Sequence, residues 1–283
     1  MRLAKSGKRR YQPHLGEAFY EEFFRSDHLL QFEYDLRTIL HNQTLLDALP
    51  PLDHQIRALD VGCGVGYTLR RLPDGFEKIG VDYSFSALKL AKQQLGQAVG
   101  LVRSSGCALP FEDDSFGLVT CIEVLEHLED DSKAVSEISR VLKPGGFLIA
   151  SVPNHHYFPE YRDLMGHYRH YSPESFSELL LQHGIGVIRY LNQYERFNKL
   201  YFYVYMPLEG LNFAWNCLTG GSKSLYERRV PFTSTRVYEA VVAPLLKPLK
   251  KLDEGSRTPR SSTFVVARQM RAGTTNAPKQ SVR

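Results

Sequence analysis

Short apolar runs and stretches of helical periodicity alternate along the middle of the chain. Residues 56–61 form an apolar run ending in glycines, the pattern of a strand buried on both faces. Residues 78–82, 99–104, 117–122 and 147–152 repeat it. Helices are predicted between them at 67–72, 84–95 and 132–142. In the last of these, Ala134, Val135, Ile138, Val141 and Leu142 recur at helical spacing, and Lys143-Pro144-Gly145-Gly146 ends the run. Strands alternating with helices predict an α/β fold with a doubly wound, mostly parallel sheet.

The flanks follow different patterns. Residues 16–49 carry apolar positions at helical spacing (Phe19, Phe23, Leu30, Leu36, Leu40 and Leu46 among them), which predicts a helical cap ahead of the first strand. Ser172 and Pro173 read as the cap and first position of a helix over 173–183, and 185–190 reads as a sixth strand. Residues 195–260 break the alternation. They open with aromatics (Phe197, Tyr201, Phe202, Tyr203) and turn aliphatic and basic further on (Leu245, Leu246, Lys247, Leu249, Lys250). We read them as a helical insertion before a seventh strand at 262–268. The expected layout is a basic N-terminus and helical cap over 1–49, a core over 50–194, the insertion over 195–260, the last strand within 261–270 and a disordered tail over 271–283.

Charge sharpens this division. The net charge is +4 over 283 residues, yet residues 1–10 carry +5 and residues 241–283 carry +7, which leaves −8 for residues 11–240. Basic ends can meet phosphate on nucleic acid or lipid, or stand as solvated tails. The acidic body argues against a nucleic-acid groove. Cys63, Cys107, Cys121 and Cys217 show neither a C-x-x-C pair nor metal-ligand spacing, as expected for thiols in a reducing cytoplasm. No apolar segment approaches the ~20 residues of a spanning helix, and no apolar run follows the basic start as in a signal peptide.

The candidate chemistry begins at Gly62, Gly64 and Gly66, directly after the first strand. Glycines there let the backbone lie against a ligand and let N–H groups at a helix start face it. Asp82 ends the next strand, where a carboxylate can accept from both hydroxyls of a ribose; a helix cap is the other reading. Loop plus acid point to an adenosine-bearing cofactor. The spacing G-x-G-x-G differs from the dinucleotide fingerprint G-x-G-x-x-G.

Five segments, in order, make the pattern specific. Residues 60–66 (DVGCGVG) resemble the first motif of class I S-adenosylmethionine-dependent methyltransferases. Residues 109–119 (LPFEDDSFGLV), 123–128 (EVLEHL) and 140–146 (RVLKPGG) are similar to later motifs of that family, and 167–173 (HYRHYSP) to a segment of its ubiquinone-biosynthesis-like subgroup. The resemblance implies S-adenosyl-L-methionine as cofactor. It implies that Gly62, Cys63 and Gly64 line the methionine moiety, with Asp60 orienting its ammonium and Gly66 completing the cofactor loop. Asp82 would hold the ribose, Tyr83 would pack on the adenine, and Ser105, Gly106, Cys107, Ile122 and Glu123 would complete the pocket. Two positions depart from the pattern: Ser105 replaces an Asp that bonds the adenine, and Gly117 replaces the Asp of the "SFD" segment. Both changes carry the expectation of weaker cofactor affinity.

Methyl transfer from a sulfonium needs alignment of the acceptor, and a hydroxyl acceptor must also lose its proton, commonly to a histidine. His127 and His167 are the candidate catalytic residues; His155 and His156 follow the fifth strand on the same side, and His170 or His167 pins the loop before the helix at 173. Glu123, Glu126, His127 and His167 also resemble the metal-ligand set of the small-RNA 2′-O-methyltransferases, although the EVLEHL segment occurs in metal-free relatives and no metal is expected. The leading expectation is methylation of a small or lipid-linked acceptor, at oxygen. RNA 2′-O-methylation and a non-catalytic cofactor-binding regulator are the alternatives. The insertion at 195–260 is expected to roof the acceptor and to touch a membrane surface peripherally, although its apolar residues equally fit a core of its own.

Overall fold

The computed structural model describes residues 44–45, 48–52, 55–154, 166–191 and 262–270. Most of the predicted N-terminal cap, His155 and His156, the insertion at 195–260 and the tail at 271–283 lie outside the described residues.

Strand β1 (Arg57–Val61) leads through the glycine loop into α1 (Tyr67–Arg71), then β2 (Glu77–Asp82), α2 (Phe85–Leu95) and β3 (Gly100–Arg103). The chain returns to β4 (Phe116–Ile122), a 3₁₀ turn (Leu125–His127), α3 (Asp131–Val141) and β5 (Leu142–Pro153). Helix α4 (Pro173–Gln182), β6 (Ile185–Leu191) and β7 (Ser262–Gln269) complete it. The seven strands form one sheet in the order β3-β2-β1-β4-β5-β7-β6. All neighbours are parallel except that β7 runs antiparallel to β5 and β6. Strand order reverses between β1 and β4, so the crevice beyond their carboxyl ends is the place where such a sheet binds ligands.

Both faces of the sheet are covered, and the strands are apolar throughout for that reason. Leu59, Val61, Val119, Leu148, Ala150 and Val265 pack on one face with Ile138 of α3 and Phe176 of α4. Ala58, Leu118, Ile149 and Val266 face the other side with Leu69 of α1, Leu88 of α2, and Leu45 and Ala48 from the segment ahead of β1. Burying each large aliphatic side chain contributes roughly 1.5–3 kcal/mol. Local signals set the helix ends. Ser84 caps α2 by accepting from Ala87 N–H, Asp130 caps α3, and Ser172 with Ser175 forms a capping box on α4 with Pro173 in its first turn. No helix among the described residues is long and apolar enough to cross a membrane.

Strand β5 starts five residues earlier than the pattern predicts. Leu142 pairs with Phe116 and Phe147 with Leu118, so residues 143–146 bulge from the ladder, with Gly145 at φ +76° making the turn. The prolyl-glycyl run ends α3 as expected but does not end the pairing. Strand β7 returns alongside β5 with Ser262 opposite Pro153, and Leu191 at the end of β6 lies opposite Phe264. The chain therefore leaves the sheet after residue 191 and re-enters it before 262 at the edge where β1, β4 and β5 end.

Candidate active site

The loop after β1 is built on left-handed backbone at Gly62 (φ +70°), Gly64 (φ +52°) and Gly66 (φ +89°). A Cβ at Gly62 would lie 2.4 Å from Cγ2 of Val124, and one at Gly66 would lie 2.5 Å from Cδ1 of Leu95. Glycine is thus required by conformation and by space. The N–H groups expected to face a ligand are mostly turned inward. Gly62 and Cys63 both donate to the Val81 carbonyl, at 2.8 and 2.9 Å. Gly64 donates to Oδ2 of Asp82 at 2.7 Å. What the loop offers a ligand is close backbone approach. The Cys63 side chain is buried behind the loop, where a Cβ on Gly80 would sit 2.8 Å from its sulfur, and burial pushes its thiol well above the usual range.

Asp82 ties this loop to the next. Its Oδ1 accepts from Ser84 N–H at 2.9 Å while Oδ2 holds Gly64. The cap of α2 is Ser84, so the helix-cap reading of Asp82 does not hold. Each carboxylate oxygen has a second lone pair suited to a hydroxyl. Beside it, Tyr83 is 42% exposed. Arg103, opposite Asp82 in register, donates from Nε to the Tyr83 carbonyl at 3.0 Å and lies 5.9 Å from the ring centroid. Arg103 was not singled out from the sequence; its place as last residue of the neighbouring strand was the available signal.

Asp60 is buried within β1. Thr120, its register partner on β4, donates a 2.6 Å hydrogen bond to Oδ1. Oδ2 is buried and has no hydrogen-bond partner. Burial raises the Asp60 carboxyl from 3.8 to about 7, against the lowering effect of the Thr120 bond, and the nearby Asp82 charge adds to the rise. An unsatisfied buried polar atom costs about 1–3 kcal/mol, which a cationic donor at the crevice would offset.

The remaining predicted pocket residues gather at the same edge. Ser105 Oγ accepts from Cys107 N–H at 3.1 Å and so shapes its own turn, Gly106 packs against Val61, and Cys107 Sγ contacts the Asp130 carbonyl at 3.3 Å. Ile122 closes β4, and Glu123 follows in left-handed backbone at φ +54°. Such strain costs about 1–3 kcal/mol in a non-glycine residue. Glu123 is held there by Ser151, which takes its N–H at the carbonyl (3.0 Å) and donates from Oγ to its carboxylate (2.9 Å).

His127 and His167 are brought together. Their rings meet edge to face with centroids 4.5 Å apart, and His167 Nδ1 lies 2.9 Å from Nε2 of His170. Glu126 is fully buried next to them, with Oε1 3.8 Å from Nε2 of His127. Burial, reinforced by His170, pushes His127 down to about 4, so its imidazole is neutral at physiological pH. The segment carrying His167 is strapped down at several points. Tyr168 N–H donates to the Glu126 carbonyl, Arg169 pairs with Asp131 and donates to the Glu129 carbonyl, and Tyr171 donates from its hydroxyl to Asp131 and from its N–H to the Pro153 carbonyl.

Two motifs serve the scaffold. Arg140 donates to the carbonyls of Leu109 and Phe111, and Glu137 accepts from Leu109 N–H, so the segments 109–119 and 140–146 clamp each other. Gly117 lies at the start of β4, at the opposite end from the crevice, and a Cβ there would meet Ile56 at 2.4 Å. Its departure from the motif is a packing matter, contrary to the expectation that it bears on cofactor affinity.

Residues 59–150 match the model of a methyltransferase domain. Over those residues the chain is similar to S-adenosylmethionine-dependent methyltransferases. It is 42% identical over 100 residues to a demethylmenaquinone methyltransferase of Lactiplantibacillus plantarum, covering 32% of this chain and 42% of that protein. A demethylmenaquinone methyltransferase of Renibacterium salmoninarum is 32% identical over 125 residues, covering 44% and 52%. The chain thus spans about half the length of the curated relatives it matches. The phosphoethanolamine N-methyltransferase 2 of Haemonchus contortus, solved with S-adenosyl-L-methionine, shares the fold with a TM-score of 0.61 at 21% identity, over 89% of this chain and 60% of that one. S-adenosyl-L-methionine is bound in that structure, and the residues present here fit it. The orphan Oδ2 of Asp60 suits an ammonium, and Asp82 suits vicinal hydroxyls.

Proposed function

We propose that this protein transfers a methyl group from S-adenosyl-L-methionine to an oxygen of a small or lipid-linked acceptor of quinone-like chemistry. The observation that carries the reading is Asp60, a buried carboxylate with one oxygen unsatisfied at the strand-order reversal, on the same sheet edge as the His127–His167 pair. Asp60 takes the cofactor's ammonium and Asp82 its ribose, with Tyr83 against the adenine and Ser105, Gly106 and Cys107 bounding the ring's edge. The bound cofactor supplies an electrophilic methyl on a sulfonium. The chain's part is to align the acceptor, exclude water and activate its hydroxyl through His127 and His167. The quinone-like class rests on the named activity of the relatives from L. plantarum and R. salmoninarum. The insertion at 195–260, aromatic and then aliphatic-basic, supports an acceptor or membrane-facing lid at the crevice.

The test is formation of S-adenosylhomocysteine by the purified full chain with hydroxylated quinol acceptors, with the product's methyl position read by mass spectrometry and NMR. Methylated oxygen is expected. Methylation at ring carbon would replace the oxygen assignment, and no turnover across hydroxylated quinols would remove the acceptor class.

A further inference from the structure

We propose that the protein holds the cofactor's base by its face, through Tyr83 backed by Arg103, and that Ser105 leaves the 6-position of the base unread. This specificity rests on the proposed function, which sets Asp82 at the ribose and Tyr83 at the adenine. Its consequence is tolerance of altered bases, which the methyl-transfer chemistry does not itself set.

The face is a built feature. Parallel pairing sets Arg103, the last residue of β3, opposite Asp82 at the end of β2. Ser104 N–H donates to the Asp82 carbonyl at 3.1 Å and Arg103 Nε to the Tyr83 carbonyl at 3.0 Å, which joins the two strand ends. The same guanidinium lies 5.9 Å from the Tyr83 ring centroid, within reach of its π-face. One side chain thus holds both the backbone and the ring of Tyr83, which stays exposed beside the Asp82 carboxylate. Arg103 is in this sense a positioning residue. Stacking on an aromatic side chain tolerates any base, because every base has a π-face.

The edge is built differently. A Cβ on Gly106 would meet Val61 at 3.2 Å and Leu128 at 3.5 Å, which sets the turn 104–107 over the end of β1. That turn carries no carboxylate, and its polar side chains bond the scaffold. Ser104 Oγ donates to the Ala108 carbonyl at 2.6 Å, Ser105 Oγ accepts from Cys107 N–H at 3.1 Å, and Cys107 Sγ donates to the Asp130 carbonyl at 3.3 Å. Burial holds the Cys107 thiol above its usual range, so it keeps its proton and stays a donor. An exocyclic amino group needs an acceptor, and a neutral hydroxyl already engaged in its own turn is a weaker one than a carboxylate. Discrimination by hydrogen bonding is large where the wrong ligand strands a buried polar group. Ser105 keeps its turn bond with or without an amino group beside it, so nothing is stranded.

The experiment measures, by calorimetry on the full-length protein, the affinities of S-adenosylhomocysteine and of its 6-deamino purine analogue, which keeps ring N1 and adds no bulk. Affinities within about threefold of each other are expected. Ser105→Asp should favour S-adenosylhomocysteine over the analogue by about tenfold, because the carboxylate accepts from the amino group. Arg103→Ala and Tyr83→Ala should weaken both ligands alike, by about threefold and about tenfold. The double variant should lose little more than Tyr83→Ala alone, since Arg103 acts through Tyr83; a merely structural role would give additive losses. A preference of about tenfold or more for the 6-amino ligand in the unaltered chain, or additive losses in the double variant, would overturn the inference. Equal affinities in Ser105→Asp would overturn the placement of Ser105 at the 6-position. Binding of neither ligand would instead remove the cofactor reading, and the inference with it.

Discussion

Thr120 and Asp60 stand directly opposite each other on β4 and β1, joined by a 2.6 Å hydrogen bond that occupies one carboxylate oxygen and leaves the other buried and unpaired. The pairing follows from parallel register, which places a β-branched hydroxyl beside the acid where the two strands diverge.

The first prediction concerns pH. The folded Asp60 carboxyl titrates near 7, above the ordinary 3.8. A raised pKa stabilises the cofactor-free fold below about pH 4, and that contribution is lost as pH rises through about 7. Binding of a cationic ammonium needs the ionised form, so cofactor affinity should rise about tenfold per pH unit below 7 and level off above it. Calorimetry between pH 5.5 and 8.5 reads this directly. Asp60→Asn should abolish the pH dependence, weaken binding at least tenfold, and raise the melting temperature of the cofactor-free protein at pH 8.

Asp82 has two tasks, and a pair of variants separates them. Asp82→Ala should weaken cofactor binding at least tenfold and also loosen the glycine loop, because Gly64 and Ser84 lose their acceptor. Asp82→Asn keeps one acceptor oxygen and should retain more thermal stability than affinity. Unchanged calorimetric affinity in Asp82→Ala would sink the ribose assignment.

Gly117→Asp tests the placement of that motif departure. Its side chain would press on Ile56, far from the crevice. Melting temperature should fall while affinity for S-adenosylhomocysteine stays within about twofold. Pairing the change with Ile56→Ala should recover part of the loss.

Arg140→Ala removes the clamp on the Leu109 and Phe111 carbonyls and leaves Glu137 uncompensated. Charge-assisted bonds contribute about 1.5–3 kcal/mol each in mutational series, discounted here for partial exposure. Denaturant unfolding should show a loss of about 1–3 kcal/mol, and hydrogen exchange should show faster opening of residues 104–115.

The sheet was legible because burial on both faces writes each strand as a continuous apolar run. Boundaries matched to within one or two residues except at β5, where pairing resumes before the 143–146 bulge and no local pattern marks it. In the crevice, the loop glycines and the acids at the ends of β1 and β2 were visible because their chemistry is local. Thr120, Arg103 and Ser151 were not, since each acts through a partner on another strand and looks ordinary in its own segment. The inward turn of the Gly62 and Cys63 N–H groups likewise depends on Val81, nineteen and eighteen positions away.

The exit after Leu191 and the re-entry at Ser262 fall on adjacent antiparallel strands, Leu191 standing opposite Phe264, two residues into β7. Once the sheet has formed, the ends of that excursion are already side by side, and closure entropy grows only with the logarithm of its length. Closing the sheet therefore sets little constraint on the length of chain between residues 191 and 262. Under the proposed function, the residues that hold the methyl donor all lie in the strands and loops of the sheet itself, so acceptor range can diverge in the 195–260 stretch while the donor site stays fixed.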